Sequence, residues 1–150
     1  MLLSGIYILV LFLILLIDLR QQRIMNMVVF PATILALFAG LVRGPETLWL
    51  ALFGACAGFI FFSVLYWFGK NRYGRSALGF GDVKLAMMLG AMLGFRYIWP
   101  ALVLGMLLAG LTSGLLLTSG RAGLRTKVPY GAFLAGAGII ILAWTTIELL

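Results

Sequence analysis

Histidine is absent from this sequence of 150 residues, and cysteine occurs once, as Cys56. Without an imidazole there is no Ser-His-Asp triad, no Cys-His pair and no common zinc-hydrolase site, because each of these needs histidine as base or ligand. A single cysteine also excludes a disulfide framework within the chain and a thiolate metal site. We therefore expect chemistry that uses neither a metal ion nor a cofactor.

Charged side chains are also scarce, at 10% of the residues, whereas 64% are hydrophobic and the mean hydropathy is +1.17. A soluble globule of this size needs far more polar surface. A spanning helix needs about 20 apolar residues. Five of the uncharged stretches are long enough, the first only just, and residues 85–95 are short. The uncharged stretches are residues 1–17, 24–42, 47–69, 85–95, 97–120 and 128–147. The sequence predicts an all-α polytopic membrane protein with six transmembrane helices in a single domain, residues 1–150.

Two of these stretches differ from an ordinary spanning helix. Residues 85–95 reach spanning length if their helix begins near Gly81 and the Lys84 ammonium extends to the headgroups, or if they cross a thinned or protein-lined region. The opening stretch has no Lys or Arg before it and no small-residue cleavage site after it. We therefore expect a retained first helix rather than a secretion signal.

The formal net charge of +7 arises from basic residues that are concentrated in alternate connections. Arg43 and Arg96 lie in one set of connections, and most of the others lie in the second set. That second set contains Arg20, Arg23, Lys70, Arg72, Arg75, Arg121, Arg125 and Lys127. The positive-inside rule then predicts that the basic connections face the cytoplasm and that both termini lie outside. A nucleic-acid partner is not expected, because no soluble domain is available to form a groove.

Several glycines are spaced by four within the apolar stretches. Small residues at this spacing line one helix face and let neighbouring backbones approach closely. The pairs are Gly54 with Gly58, Gly90 with Gly94, and Gly110 with Gly114. We interpret them as helix packing within one protomer, with a dimer interface as the alternative.

Asp18 and Asp82 are the only aspartates, and each lies where an apolar stretch meets basic residues. A carboxylate at the membrane edge is costly and is therefore a candidate for function. By the predicted topology both lie at cytoplasmic helix ends, and hence at the same depth. Two neighbouring carboxylates share a proton, so one can draw a proton from water while the other polarises a peptide carbonyl. The residues alone leave a second interpretation open, in which Arg20, Arg23 or Lys84 neutralises each aspartate separately.

The glycines beside Asp82 favour the first interpretation. Gly79 and Gly81 permit close backbone approaches, which suits a turn that brings an extended substrate segment to Asp82. Lys84 follows in the same segment. Its ammonium either acts on a carboxylate or substrate carbonyl or extends to the lipid headgroups.

Three segments, taken in order, carry a resemblance to a known family. The first is IDLRQQRIMN, residues 17–26, with an aspartate after the first helix, basic residues and a short turn that ends at Asn26. The second is GFGDVKL, residues 79–85, and the third is VPYGAFLA, residues 128–135, at the start of the last helix. Together they resemble the type IV prepilin peptidases, membrane aspartyl proteases that share a GxGD signature with archaeal preflagellin peptidases and, more distantly, with presenilins. The resemblance covers essentially the whole chain.

The resemblance implies an aspartic-type endopeptidase of the inner membrane whose active site faces the cytoplasm. It implies prepilins or pseudopilins as substrates, with the basic leader removed just after a glycine, and the lipid bilayer as the surroundings. It assigns catalysis to Asp18 and Asp82. The supporting motif positions that it implies are Gly79, Gly81, Lys84, Asn26, Pro129 and Gly131.

Two departures from the family pattern accompany the resemblance. Met25 stands where the family usually has proline, which loosens the turn after Asp18. Larger bacterial members also carry an amino-terminal segment with paired cysteines and are credited with methyl transfer from S-adenosylmethionine. No stretch of this sequence is similar to that segment, so the resemblance is to a short form.

Two other functions remain open at this stage. One is a membrane assembly protein or scaffold of a pilus or secretion system that does not cleave. The other is a small proton-coupled or cation-coupled transporter, which would place its carboxylates near the middle of the membrane.

Overall fold

The chain is helical throughout the ranges that the structure describes. A computed structural model describes residues 2–21, 26–73, 78–119 and 129–148. Within these ranges there are five helices, all long and apolar enough to cross a membrane. They are α1 (Leu2–Gln21), α2 (Asn26–Arg43), α3 (Pro45–Tyr73), α4 (Phe80–Thr118) and α5 (Tyr130–Glu148). Large apolar side chains such as Leu9, Phe38 and Leu107 point outward and are mostly exposed, as lipid-facing residues are. The structure therefore confirms an all-α polytopic membrane protein.

The number of helices differs from the predicted six. The stretches 85–95 and 97–120 form one element, α4, among the described residues, because a charged side chain such as Arg96 does not interrupt helical backbone hydrogen bonds. The interruption lies at Gly94 instead, whose φ of 72° and ψ of 173° divide α4 into two helical parts. The start of α4 at Phe80 agrees with the predicted start near Gly81.

A tight connection joins α2 to α3. Gly44 has a φ of 129°, a conformation that favours glycine, and its N–H donates to the carbonyl oxygens of Gly40 at 3.2 Å and Leu41 at 3.3 Å. Pro45 then occupies the first position of α3, where its fixed φ is already helical. The sequence Gly-Pro therefore ends one helix and starts the next without a longer loop.

The glycines of α3 bring this helix against α4. A β-carbon at Gly54 would collide with the carbonyl oxygen of Gly90, and one at Gly58 would collide with that of Ala86. The converse holds at Gly90, where a β-carbon would collide with the backbone of Gly54. The structure confirms helix packing within the protomer for these glycines.

Among the described residues, the packing interpretation is wrong for Gly110 and Gly114. Apart from the adjoining backbone of α4, no atom of a described residue lies within 4 Å of a β-carbon built at either position. The neighbouring side chains of Leu107, Leu111 and Leu115 are also mostly exposed. The second part of α4 turns this face away from the other helices, so the spacing of its glycines serves no contact within the described protomer.

Helix α5 packs against both α1 and α4. At its centre, Gly138 makes room for Leu11 of α1 and Leu89 of α4, and both leucines are completely buried. This packing brings the carboxyl end of α1 and the amino ends of α4 and α5 to the same end of the bundle. The predicted site residues lie at that end.

Candidate active site

Asp18 lies in the last turn of α1 and is 4% exposed. Its Oδ2 accepts a hydrogen bond of 2.7 Å from the backbone N–H of Ala132, in the first turn of α5. The first N–H groups of a helix have no intrahelical partner, and Pro129, just before α5, has no side-chain acceptor to offer. A carboxylate from a different helix therefore caps α5.

Asp82 lies in the first turn of α4 and is 8% exposed. Its Oδ2 accepts a hydrogen bond of 2.9 Å from the N–H of Gly79, and its own N–H donates to the Gly79 carbonyl oxygen at 3.0 Å. An acidic side chain that bonds back to the residue before the helix forms one half of a capping box. The GxGD segment is thus a turn that holds its own aspartate against the start of α4.

Both carboxylates therefore lie at the amino ends of helices. Free N–H groups and the helix dipole favour negative charge at such ends. Each aspartate uses Oδ2 for its bond, and Oδ1 accepts no hydrogen bond from another described residue. The charge of Asp18 also acts on Asp82, so the two lie within electrostatic reach of each other. One oxygen of each carboxylate is left for water or a peptide group.

Lys84 lies two residues after Asp82 in α4 and contacts α2. Its Nζ donates a hydrogen bond of 2.8 Å to Oδ1 of Asn26, the first residue of α2. The ammonium also lies over the rings of Phe30 and Phe80, at 5.4 Å and 5.1 Å from their centroids, which is within cation–π range. These contacts tie α2 to the start of α4 beside Asp82.

The neighbouring cations do not neutralise the two aspartates individually in the part of the chain that the structure describes. Lys84 donates to an amide, and Arg20 is exposed at the end of α1. Arg23, the third candidate for this role, lies outside the described residues, as does Met25. Backbone N–H groups hold both carboxylates instead.

The remaining predicted positions lie beside Asp82 in sequence, or beside Ala132, whose N–H binds Asp18. Gly81 is partly buried next to Asp82, and Gly131 is buried in the first turn of α5 next to Ala132. The carbonyl oxygen of Pro129 accepts a hydrogen bond of 3.2 Å from the same Ala132 N–H that Asp18 binds. All of the described candidate residues thus lie at one end of the bundle.

Two residues that contribute to the site were not predicted from the sequence. Ala132 acts through its backbone N–H, so its side-chain identity carries no signal. Phe30 was detectable in principle, because it lies four residues after Asn26 and hence on the same face of α2. Lys84, in the GxGD segment, would then be expected to contact both Asn26 and Phe30.

The aspartate end of the bundle offers two carboxylates but few other side chains that could bind a metal ion. Over the described ranges, no group of three or more His, Cys, Asp or Glu side chains lies close enough together to hold an ion. The chemistry open to two such carboxylates is general acid and base catalysis on a water molecule.

Comparison with known proteins agrees with this geometry. The type IV leader peptidase family matches residues 5–117, which include both aspartates. The prepilin leader peptidase/N-methyltransferase of Pseudomonas aeruginosa is 33% identical over 86% of this chain, and that of Aeromonas hydrophila is 35% identical over 85%. Leader peptidase HopD of Salmonella typhimurium is 40% identical over 64% of it. The chain spans 44% of the length of the first two relatives and 63% of the third.

No solved structure gives a significant match to this sequence. The family match nevertheless extends over most of the chain and contains the GxGD segment. The protein therefore belongs to the type IV leader peptidase family.

Proposed function

We propose that this chain is an aspartic-type endopeptidase that removes the basic leader peptide from type IV prepilins or pseudopilins. The observation that carries the proposal is the pairing of Asp18 and Asp82 at one end of the bundle, each buried and each held by a backbone N–H through a single oxygen. Membership of the leader peptidase family supports it, as do the relatives that are named prepilin leader peptidase/N-methyltransferase and leader peptidase HopD.

The proposed reaction needs only the two carboxyl groups and water. One carboxylate takes a proton from the water molecule, which attacks the carbonyl carbon of the scissile peptide. The other carboxyl, in its protonated form, donates a hydrogen bond to the carbonyl oxygen and stabilises the charge that develops there. The leaving amine then takes a proton from the pair. The backbone N–H groups of Ala132 and Gly79 keep the two carboxyl groups oriented during these steps.

We further propose that the chain crosses the membrane six times as one domain, residues 1–150, and reverses direction at Gly94. Leu89, before the bend, contacts Gly138 of α5, whereas Gly105, after it, contacts Leu134, one turn nearer the start of α5. In a continuous helix Leu89 and Gly105 would be separated by about 24 Å. The two partners in α5 are only one turn apart, about 5.4 Å. A second part of α4 that runs back alongside the first accounts for both contacts.

The aspartate end of the bundle is proposed to face the cytoplasm, in the inner membrane of the cell. Arg20 at the end of α1 and Lys70 and Arg72 near the end of α3 lie at this end, whereas Arg43 and Arg96 lie at the other. That distribution follows the positive-inside rule. A substrate with an apolar transmembrane helix would then present its leader junction at the depth of the aspartates, where local unwinding exposes the peptide bond.

Co-expression with a candidate prepilin tests the proposal, with leader loss read as a gel shift. The wild-type chain should process the substrate, while Asp18→Asn and Asp82→Asn should lower processing by at least about a hundredfold. Glu46→Gln, which removes a carboxylate at the opposite end, is the matched control and should process normally. Processing at a near wild-type rate by either aspartate variant, at equal membrane levels, would remove that residue from the mechanism.

A further inference from the structure

A concave site lies at the end of the bundle opposite the aspartates. It is a cavity of about 360 Å³ to which all five described helices contribute. The amino end of α1, the carboxyl ends of α2 and α5, the start of α3 and the bend of α4 enclose it. Its apolar lining includes the buried residues Ala36, Ala51 and Leu142.

The polar lining of this cavity carries positive charge. Arg43 at the end of α2 and Arg96 just after the bend of α4 both border it, and these are the two basic residues assigned to the external connections. Ser4, Thr47 and other hydroxyl groups complete the polar part. No acidic residue is among its lining in the described part of the chain. Two arginines from separate connections thus converge on one cavity without a carboxylate to balance them.

Tyr7 adds a hydroxyl group to the lining of this cavity. Its side chain is 5% exposed and lines the cavity, yet its hydroxyl has no hydrogen-bond partner among the described residues. Arg43 borders the same cavity. Among the described residues, the buried side-chain polar atom without a partner is Ser63 Oγ, so the Tyr7 hydroxyl is open to the cavity and can donate to an acceptor that enters it.

We propose that this cavity binds a phosphate oxyanion through Arg43, Arg96 and the hydroxyl of Tyr7. A guanidinium presents two parallel N–H donors that match a phosphate group, and a phenol can donate a third hydrogen bond. The apolar part of the lining suits the glycerol and first methylenes of a phospholipid. An anionic phospholipid headgroup and free inorganic phosphate share this chemistry, and the experiment distinguishes them.

The inference does not depend on the proposed peptidase activity. The cavity lies at the other end of the bundle and shares no residue with the aspartate site. Its test therefore measures binding instead of cleavage, and failure of one proposal leaves the other intact.

The test is a titration of the purified full-length chain in an uncharged detergent. The ligands are short-chain phosphatidylglycerol, short-chain phosphatidylcholine and inorganic phosphate. We expect phosphatidylglycerol to bind more tightly than phosphatidylcholine. The double variant Arg43→Gln/Arg96→Gln should weaken that binding by at least about tenfold, and Tyr7→Phe, which removes only the hydroxyl, by several fold.

Arg20→Gln is the matched control, because it removes an exposed arginine at the opposite end and should leave binding unchanged. Competition by inorganic phosphate would support a site for the phosphate group itself. Binding of phosphatidylglycerol without such competition would support a lipid headgroup site. Equal binding of the two lipids, or equal weakening by Arg20→Gln and the double variant, would overturn the proposal. Thermal unfolding of each variant verifies that it remains folded.

Discussion

Gly54 of α3 and Gly90 of α4 approach each other so closely that neither position has room for a β-carbon. In a membrane such a contact stabilises the fold through van der Waals packing, because the hydrophobic effect does not drive helices together in lipid. Gly90 lies about two turns after Asp82 in the same helix. The contact therefore fixes the part of α4 that carries the aspartate against α3.

We expect Gly54→Ala and Gly90→Ala to destabilise the protein, because an added methyl group forces the two backbones apart. The loss in the free energy of unfolding should be about 1–3 kcal/mol, measured by denaturation in detergent. Gly110→Ala and Gly114→Ala are matched controls in the open part of α4 and should be neutral or slightly stabilising, since alanine favours helix more than glycine does. If all four variants were equally stable, the close approach of α3 and α4 would be refuted.

These glycines also mark the limit of what could be predicted from the sequence. The spacing of four is the same at Gly54 and at Gly110, but only tertiary packing decides which face meets a neighbour. The two aspartates were identified because a carboxylate beside an apolar stretch is rare and costly. Their partners were not, because the backbone N–H of Ala132 has no signature in the sequence. The sequence predicts a connection between two helices at Arg96, because the charge interrupts the apolar pattern there, whereas the structure interrupts the helix at Gly94.

Asp18 is expected to have separable roles in stability and in cleavage. Asp18→Ala removes the cap of α5 and should cost about 0.5–2 kcal/mol of unfolding free energy. Asp18→Asn keeps an oxygen acceptor for the Ala132 N–H, so it should lose cleavage while retaining most of the stability. Thermal unfolding and prepilin processing measured on both variants check this. Equal destabilisation by alanine and asparagine would show that the hydrogen bond contributes little to the fold.

Lengthening either aspartate is expected to impair cleavage without removing the charge. Asp18→Glu and Asp82→Glu each add a methylene, which displaces the carboxyl group by about 1 Å, and a shift of that size costs about a hundredfold in rate. The measurement is the rate of leader removal in detergent or liposomes at equal protein concentration. Full activity in both variants would indicate that the carboxyl groups do not act from fixed positions.

The bond between Lys84 and Asn26 is expected to couple α2 to the start of α4. A double-mutant cycle with Lys84→Met and Asn26→Ala should give a coupling energy of about 0.5–1.5 kcal/mol in unfolding free energy. Lys70→Met removes an exposed lysine near the end of α3 and should show no coupling to Asn26→Ala. Additive effects of Lys84→Met and Asn26→Ala would mean that the hydrogen bond of 2.8 Å contributes nothing to stability.

The membrane orientation makes a prediction for accessibility in intact cells. In a Cys56→Ala background, Gln22→Cys and Ser76→Cys should resist an impermeant thiol reagent, because both connections are proposed to face the cytoplasm. Glu46→Cys, in the first turn of α3 at the opposite end, should react and is the control for labelling. Labelling of the first two positions from outside would invert the topology and contradict access to the leader from the cytoplasm.

Metal chelators and reagents that modify serine or cysteine should leave cleavage intact. A catalytic zinc normally takes three protein ligands, and among the described side chains the aspartate end offers Asp18 and Asp82 as its anionic ligands. Without histidine in the sequence, no imidazole base is available to activate a serine or Cys56 as a nucleophile. The measurement is the rate of leader removal in liposomes with and without chelator, with liposome integrity followed in parallel. Loss of cleavage in intact liposomes that is restored by added zinc would show that the aspartates bind a metal ion, and the mechanism with two carboxyl groups alone would then be wrong.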